Sequence, residues 1–294
     1  MNTNRTNTTK VGFIGTGVMG ISMAGHILEA GYDVSVFTRT KSKAESLLLK
    51  GCSWCDTLQE LAATCDVIIT MVGYPSDVEE IYLGEAGLIA SAQQGTLMID
   101  MTTSSPSLAQ RIANAAAQHG MAAIDAPVSG GDIGARNAQL SIMVGGDVEH
   151  YEAAHSILSV MGSNIVRQGE AGAGQHAKMC NQIAIATNMI GVCEAILYAT
   201  KAGLDPEIVL QSIETGAAGS WSLSNLAPRI IAGNFEPGFY VKHFIKDMKI
   251  ALQSALDIGI NLPGLSLSLS LYEQLASMGF EDKGTHALYK VLIK

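Results

Sequence analysis

The stretch "KVGFIGTGVMGISMAGHILEAGYDVSVF", residues 10–37, decides the fold. "KVGFI" (10–14) is a short apolar run of strand type, "GVMGISMAGHILEAG" (17–31) has helical spacing and stops at a glycine, and "DVSVFTR" (33–39) is a second strand. Between the first strand and the helix stand Gly15, Gly17 and Gly20, in GxGxxG spacing. In a chain with 31 glycines the spacing alone is weak. Its place after a strand, at a helix start and inside a strand–helix–strand unit gives it meaning. Gly15 permits the tight turn, Gly17 a close backbone approach to a pyrophosphate, and Gly20 close packing of helix on strand. The N–H groups at the helix start then hold phosphates. A glycine-rich turn without a ligand is the competing reading.

Outward from this unit the alternation continues. "KSKAESLLLKG" and "LQELAATC" are helical. "DVIITMV" (66–72) and "TLMIDMT" (96–102) are strands, and "SPSLAQRIANAAAQHG" is a helix with Pro106 near its start. "MAAIDAPV" and "QLSIMVGG" are two further strands. Alternation at this spacing implies a doubly wound parallel sheet of Rossmann type. Beyond "GEAGAG" (169–174) strand signals fade and helical periodicity takes over. The expected organisation is a polar tail (1–9), a dinucleotide-binding α/β domain (10–171) and an all-α domain (172–294) entered through a long interdomain helix. "LSLSLSL" (265–271) has the period of a strand, but its helical surroundings favour a helix.

Hydrophobic residues make up 48% and charged residues 15% of the chain, and the formal net charge is -9. An acidic chain without basic clusters argues against nucleic acid and against an anionic membrane surface. "MNTNRTNTTK" lacks the apolar core of a secretion signal. Ile183–Leu204 is the nearest approach to a membrane span, but Asn188, Glu194 and Lys201 interrupt it, so a buried helix of a cytoplasmic protein is expected. Cys52 and Cys55 form a CxxC without a second half elsewhere, which favours incidental cysteines over a redox pair, and no metal site is expected.

Thr38, Arg39, Thr40, Lys41 and Lys43 follow the second strand, where an NAD site usually carries an acidic residue for the ribose hydroxyl. This basic cluster points to NADP over NAD. The other reading is an ordinary solvated loop. In "GAGQHAKMCNQ" (172–182), Lys178, Asn181 and Gln182 stand at i, i+3 and i+4 on one helix face, preceded by Gly172 and Gly174, which let backbone approach a ligand. An amine and two amides together suit binding and protonation of a substrate oxygen. Spacing alone leaves a junction lysine and a catalyst equally open.

Four segments in order, "VGFIGTGVMG", "DAPVSGG" (125–131), "GAGQHAKMCNQ" and "HFIKDM" (243–248), resemble the signatures of the β-hydroxyacid dehydrogenase family, from about residue 10 to the C-terminus. That family includes 3-hydroxyisobutyrate dehydrogenase, tartronate semialdehyde reductase and the glyoxylate/succinic semialdehyde reductases. The resemblance implies two domains with the active site between them. It places the dinucleotide on residues 12–26, so Gly12, Phe13, Ile14, Gly15, Thr16, Gly17, Val18, Met19 and Gly20 are expected to bind it. Thr38, Arg39, Thr40, Val72, Thr103 and Lys246 are expected to join them. It also implies that Lys178 is the catalytic acid/base with Asn181 and Gln182 beside it, that Ser129, Gly130 and Gly131 bind the substrate carboxylate, and that Trp221 shapes the pocket. A core tryptophan is a fair competitor for Trp221. Burial is expected to lower the pKa of Lys178 toward working pH. Ser129 lacks a His–Asp relay, so a nucleophilic serine is the wrong reading. Asp100, Asp125 and Asp247 are left with capping, surface or supporting roles, and His176 points to another helix face.

The expected function is an NAD(P)-dependent oxidoreductase interconverting a short 3-hydroxy acid and its semialdehyde, with an NADPH-dependent glyoxylate/succinic semialdehyde reductase as the alternative. A non-catalytic, cofactor-binding sensor is a remote reading, because such relatives lose the lysine. The expected partners are a small carboxylate and further copies of the chain, as a homodimer or homotetramer. The helical domain is too short for a 6-phosphogluconate dehydrogenase, and imine reductases usually lack this lysine.

Overall fold

A computed structural model describes residues 9–293. Residues 1–8 of the expected polar tail lie outside the described part. The chain divides into two compact units at Lys178/Met179, within the helix Ala173–Lys201.

The first unit is built on a nine-stranded sheet: β1 (Lys10–Ile14), β2 (Asp33–Phe37), β3 (Ser53–Trp54), β4 (Val67–Thr70), β5 (Leu97–Asp100), β6 (Ala122–Asp125), β7 (Val128–Ser129), β8 (Leu140–Gly145) and β9 (Gly162–Gly169). The order is β3-β2-β1-β4-β5-β6-β8-β7, with β9 also on β8. The strands from β3 to β6 are parallel, and β4 and β5 are buried at every residue, as strands covered on both faces must be. The order in which strands are added reverses between β1 and β4, the switch point where such sheets bind ligands.

Three features differ from the sequence reading. The run "MAAIDAPV" is two strands, β6 and β7, broken at Ala126–Pro127, because proline has no N–H for the ladder. β8 runs antiparallel to both, so the sheet is mixed at this edge. β9 and the two-residue β3 were not anticipated. β9 is half exposed, with burial pattern Beeieiei, and therefore lacks the apolar run that marks an inner strand.

In the second unit Ala173–Lys201 is followed by the helices Pro206–Ile213, Trp221–Ile231, Val241–Asp257 and Pro263–Leu275. Met189, Cys193, Ile196, Phe244, Met248, Tyr272 and Leu288 belong to its core. Tyr272 stacks edge-on against Phe244 at 5.0 Å and donates its hydroxyl to the Thr285 carbonyl at 2.8 Å. "LSLSLSL" is helical, as its surroundings require. A period of two on a helix spreads the leucines around the axis, so Leu265 is buried and Leu267 exposed. By length and composition Ala173–Lys201 could cross a membrane. Here Met179, Ala186, Met189, Cys193 and Ile196 instead form a stripe buried among the other helices.

Candidate active site

The parallel ladder aligns the strand ends. Ile14 pairs with Phe37 and with Thr70, Thr70 with Asp100, and Asp100 with Asp125. Everything that follows in the first unit hangs from this edge.

The glycine loop leaves β1 at its end. Gly15 has φ 96° and donates its N–H to the Phe37 carbonyl at 2.9 Å. An added methyl there would strike the Met71 carbonyl and come within 3.1 Å of Val72 Cγ1, so Val72 lies against the loop. At Gly20 a methyl would strike the Gly15 carbonyl, whereas at Gly17 it would meet nothing within 4 Å. The helix Gly20–Glu29 starts with no side-chain cap and no acid in its first turn. Thr16 Oγ1 is buried and makes no hydrogen bond. Open space above Gly17 beside an uncapped helix start fits a dinucleotide pyrophosphate. Gly15, Gly17, Val18, Met19 and Gly20 would hold it by backbone. Gly12, Phe13 and Ile14 lead into this loop from β1. They are strand residues turned into the core, Gly12 against Leu61 and Cys65, and the Thr16 side chain is likewise buried.

After β2, Thr38 is half-buried and Thr40 exposed. Arg39 pairs with Asp77 Oδ1 at 3.2 Å, its side chain 83% exposed. Lys41 sits 4.9 Å over the Trp54 ring. An exposed pair of this kind is worth little, so a 2′-phosphate can compete for the guanidinium.

A buried polar network joins the remaining strand ends to the lysine helix. Thr70 Oγ1 donates to Asp100 Oδ1 at 2.8 Å and contacts Tyr82 Oη at 2.9 Å. Asp100 Oδ1 also accepts from Thr102 N, and Thr102 Oγ1 accepts from Val72 N. Gln175 then clamps the next loop: its Nε2 donates to the Thr102 carbonyl at 2.8 Å and its Oε1 accepts from Ser104 N at 2.9 Å. Thr103 is held between these two bonds. Asp125 accepts from Gly172 N and Gln175 N, both at 2.7 Å, and so caps the helix that carries Lys178. Burial pushes the Asp125 carboxyl up to about 6, against the opposing pull of those two N–H groups. Gly174 admits the carboxylate, since a methyl there would lie 2.8 Å from Asp125 Oδ2. Gly172 packs against the Pro106 carbonyl and Gln110, and Gly174 against the Met143 carbonyl and Asp125, so these glycines allow close approach within the protein.

Lys178 is 6% exposed, one turn beyond Gln175. Asn181 is half-buried, and its Nδ2 donates to Gln182 Oε1 at 2.7 Å. Gln182 is fully buried and donates from Nε2 to Asp247 Oδ2 at 2.6 Å. Both ends of its amide are thus engaged within the protein. Lys246 forms an ion pair with Asp247 Oδ1 at 2.8 Å. Gly130 and Gly131 have φ of 126° and 62°, a turn that glycine allows, and Ser129 before them is half-buried. Trp221 is 59% exposed at the start of its helix, so it is no core residue. No group of three or more metal-ligating side chains occurs among the described residues.

The capping role open to Asp125 in the sequence is the one it has, whereas Gln175 is a residue that the sequence reading did not single out. The i−3 spacing of Gln175 from Lys178 was a usable signal. The Thr70–Tyr82–Asp100 triad gave none.

A family model described as the NAD binding domain of 6-phosphogluconate dehydrogenase matches residues 10–169. Another, described as NAD-binding of NADP-dependent 3-hydroxyisobutyrate dehydrogenase, matches residues 172–292. The chain is 64% identical over 284 residues to the oxidoreductase YkwC of Bacillus subtilis, covering 97% of this chain and 99% of that one. It is 38% identical over 283 residues to 2-hydroxy-3-oxopropionate reductase of Escherichia coli, covering 96% and 97%. The solved structure of Mycobacterium tuberculosis 3-hydroxyisobutyrate dehydrogenase with L-serine aligns with a TM-score of 0.89 at 31% identity, covering 97% and 99%. Glycine loop, switch point and buried lysine, with these matches, define an oxidoreductase that depends on a nicotinamide dinucleotide and acts on a CH–OH group. The chain belongs to the β-hydroxyacid dehydrogenase family.

Proposed function

We propose that this enzyme interconverts a short 3-hydroxy acid and its semialdehyde, prefers NADP(H), and uses Lys178 as general acid/base. The observation that carries the reading is Lys178 itself: a buried amine one turn past a helix start that Asp125 and Gln175 tie to the strand ends. The named relatives support the substrate class. Serine, 3-hydroxyisobutyrate and 2-hydroxy-3-oxopropionate all carry a carboxylate at C1 and an alcohol or aldehyde at C3.

A bound dinucleotide supplies or accepts the hydride. The chain's own residues orient the substrate and move one proton. In reduction, protonated Lys178 donates to the carbonyl oxygen, and in oxidation neutral Lys178 accepts the hydroxyl proton. Asn181 holds the reacting end. The turn at Ser129, Gly130 and Gly131 receives the carboxylate through the serine hydroxyl and backbone N–H groups, and Trp221 bounds the pocket. Arg39, with Thr38 and Thr40, supports the choice of NADP, as does the description of the second family model. Thr103 and Lys246 complete the cofactor contacts.

A glyoxylate/succinic semialdehyde reductase differs from this reading only in carbon skeleton. Exposed Tyr198, Leu204, Ile208, Leu256, Ile258 and Leu267 on the helical unit support a homodimer or homotetramer. Free thiols, with four of the five cysteines buried, support a reducing compartment such as the cytoplasm.

The test is a steady-state panel of L-serine, 3-hydroxyisobutyrate, glyoxylate and succinic semialdehyde with both dinucleotides, run beside Lys178→Ala. The variant is expected to lose at least about a hundredfold in kcat while NADPH still binds. Near-normal turnover in it would sink the mechanism.

A further inference from the structure

Asp247, on the helix Val241–Asp257, is a buried carboxylate that the reaction as described does not use. Its Oδ2 accepts from Gln182 Nε2, and Gln182 Oε1 accepts from Asn181 Nδ2. Its Oδ1 lies 2.8 Å from Lys246 Nζ as an ion pair but accepts no hydrogen bond. An ionised carboxylate can only accept. Gln182 must therefore turn its NH2 toward Asp247, and its carbonyl is left to accept. Only the NH2 of Asn181 can donate to that carbonyl. The direction of the whole chain is thus set at Asp247. Asn181 is left presenting its carbonyl oxygen, an acceptor, one helical turn from Lys178.

We propose that Asp247 and Gln182 are positioning residues that fix the amide of Asn181 so that its Oδ1 faces the reacting groups as a hydrogen-bond acceptor. A hydroxyl or ammonium donor is what that oxygen recognises. With the amide reversed, its NH2 would confront those donors instead. The inference rests on the reading of Lys178 and Asn181 given above.

The test reverses the polarity of the chain and then restores it. In Asp247→Asn the fixed end is lost, and kcat is expected to fall at least about tenfold. In the double variant Asp247→Asn/Gln182→Glu, the new amide donates to the new carboxylate, which still accepts from Asn181 Nδ2. Turnover is expected to recover to within about threefold of the parent enzyme, the margin for moving the charge by one residue. The assay follows NADPH oxidation with succinic semialdehyde or NADP+ reduction with L-serine, whichever turns over. NADPH affinity and thermal unfolding are recorded for each protein. Full activity in Asp247→Asn overturns the proposal, and so does a double variant no better than the single one.

Gln182→Glu alone decides the matter if Asp247→Asn does not fold. Its carboxyl can donate to Asp247 only when protonated, so its kcat relative to the parent should rise as pH falls. A ratio independent of pH overturns the relay. Undiminished turnover in Asn181→Ala would overturn the underlying reading of the site. Loss in that variant with none in Asp247→Asn overturns the relay alone.

Discussion

Asp125→Asn separates the charge of the helix cap from its shape. Asp125 is 3% exposed, and burial raises its carboxyl from an ordinary 3.8 to about 6, against the pull of the Gly172 and Gln175 N–H groups and with a small push from Asp100. That interval, at about 1.4 kcal/mol per pKa unit, is about 3 kcal/mol by which the site disfavours the ionised form. Asparagine escapes this penalty, but its NH2 faces one of the two N–H donors and leaves it without an acceptor, which costs about 1–3 kcal/mol. The two effects nearly cancel, so stability at pH 7.5 should stay close to that of the parent enzyme. The pH dependence should not. A folded pKa above the unfolded value means that the folded enzyme binds the proton first. Asp125 therefore adds stability as pH falls through about 6, and that gain is absent above this pH. Between pH 7 and pH 5 the parent enzyme should gain about 1 kcal/mol relative to the variant. Urea unfolding followed by fluorescence at pH 5, 6 and 7 measures this, with Trp54 on β3 as a reporter in the same unit. A stability difference between the two proteins that is equal at pH 5 and pH 7 would refute the reasoning. Turnover should meanwhile drop by about tenfold to a hundredfold, because a cap that fits less well displaces the helix carrying Lys178.

The glycines of the loop should separate in the opposite sense. Gly17→Ala has room for its methyl and should melt like the parent enzyme while binding NADPH about tenfold more weakly; Gly20→Ala, which drives a methyl into the Gly15 carbonyl, should lower the melting temperature in a thermal scan. Arg39→Ala should lower kcat/KM for NADPH by about tenfold or more and leave that for NADH little changed. Asp77→Asn, which frees Arg39 from its 3.2 Å ion pair, should shift the ratio toward NADPH, as kinetics with both dinucleotides would show.

What is local can be read from the residues alone. Strand and helix periods, the GxGxxG spacing and the i, i+3, i+4 grouping at Lys178 depend on neighbours within a few positions. They were enough to give the α/β unit and the helical unit, whereas the spacing at Lys178 left junction lysine and catalyst open until the family resemblance was added. What depends on distant partners emerges only in the fold. β8 turned antiparallel, and β9 joined the sheet with a pattern too polar to announce itself. The bonds of Asp125 reach 47 and 50 positions along the chain, that of Gln182 to Asp247 reaches 65, and those of Gln175 reach 71 and 73. A carboxylate or amide reads alike in sequence whether it meets water or a buried N–H. Only folding removes the water and so reveals which polar groups must be paired, and with what. Chain periodicity thus placed Lys178 on its helix, while the buried bonds of Asp125, Gln175 and Asp247 fixed how its helix starts and how the amide one turn on is turned.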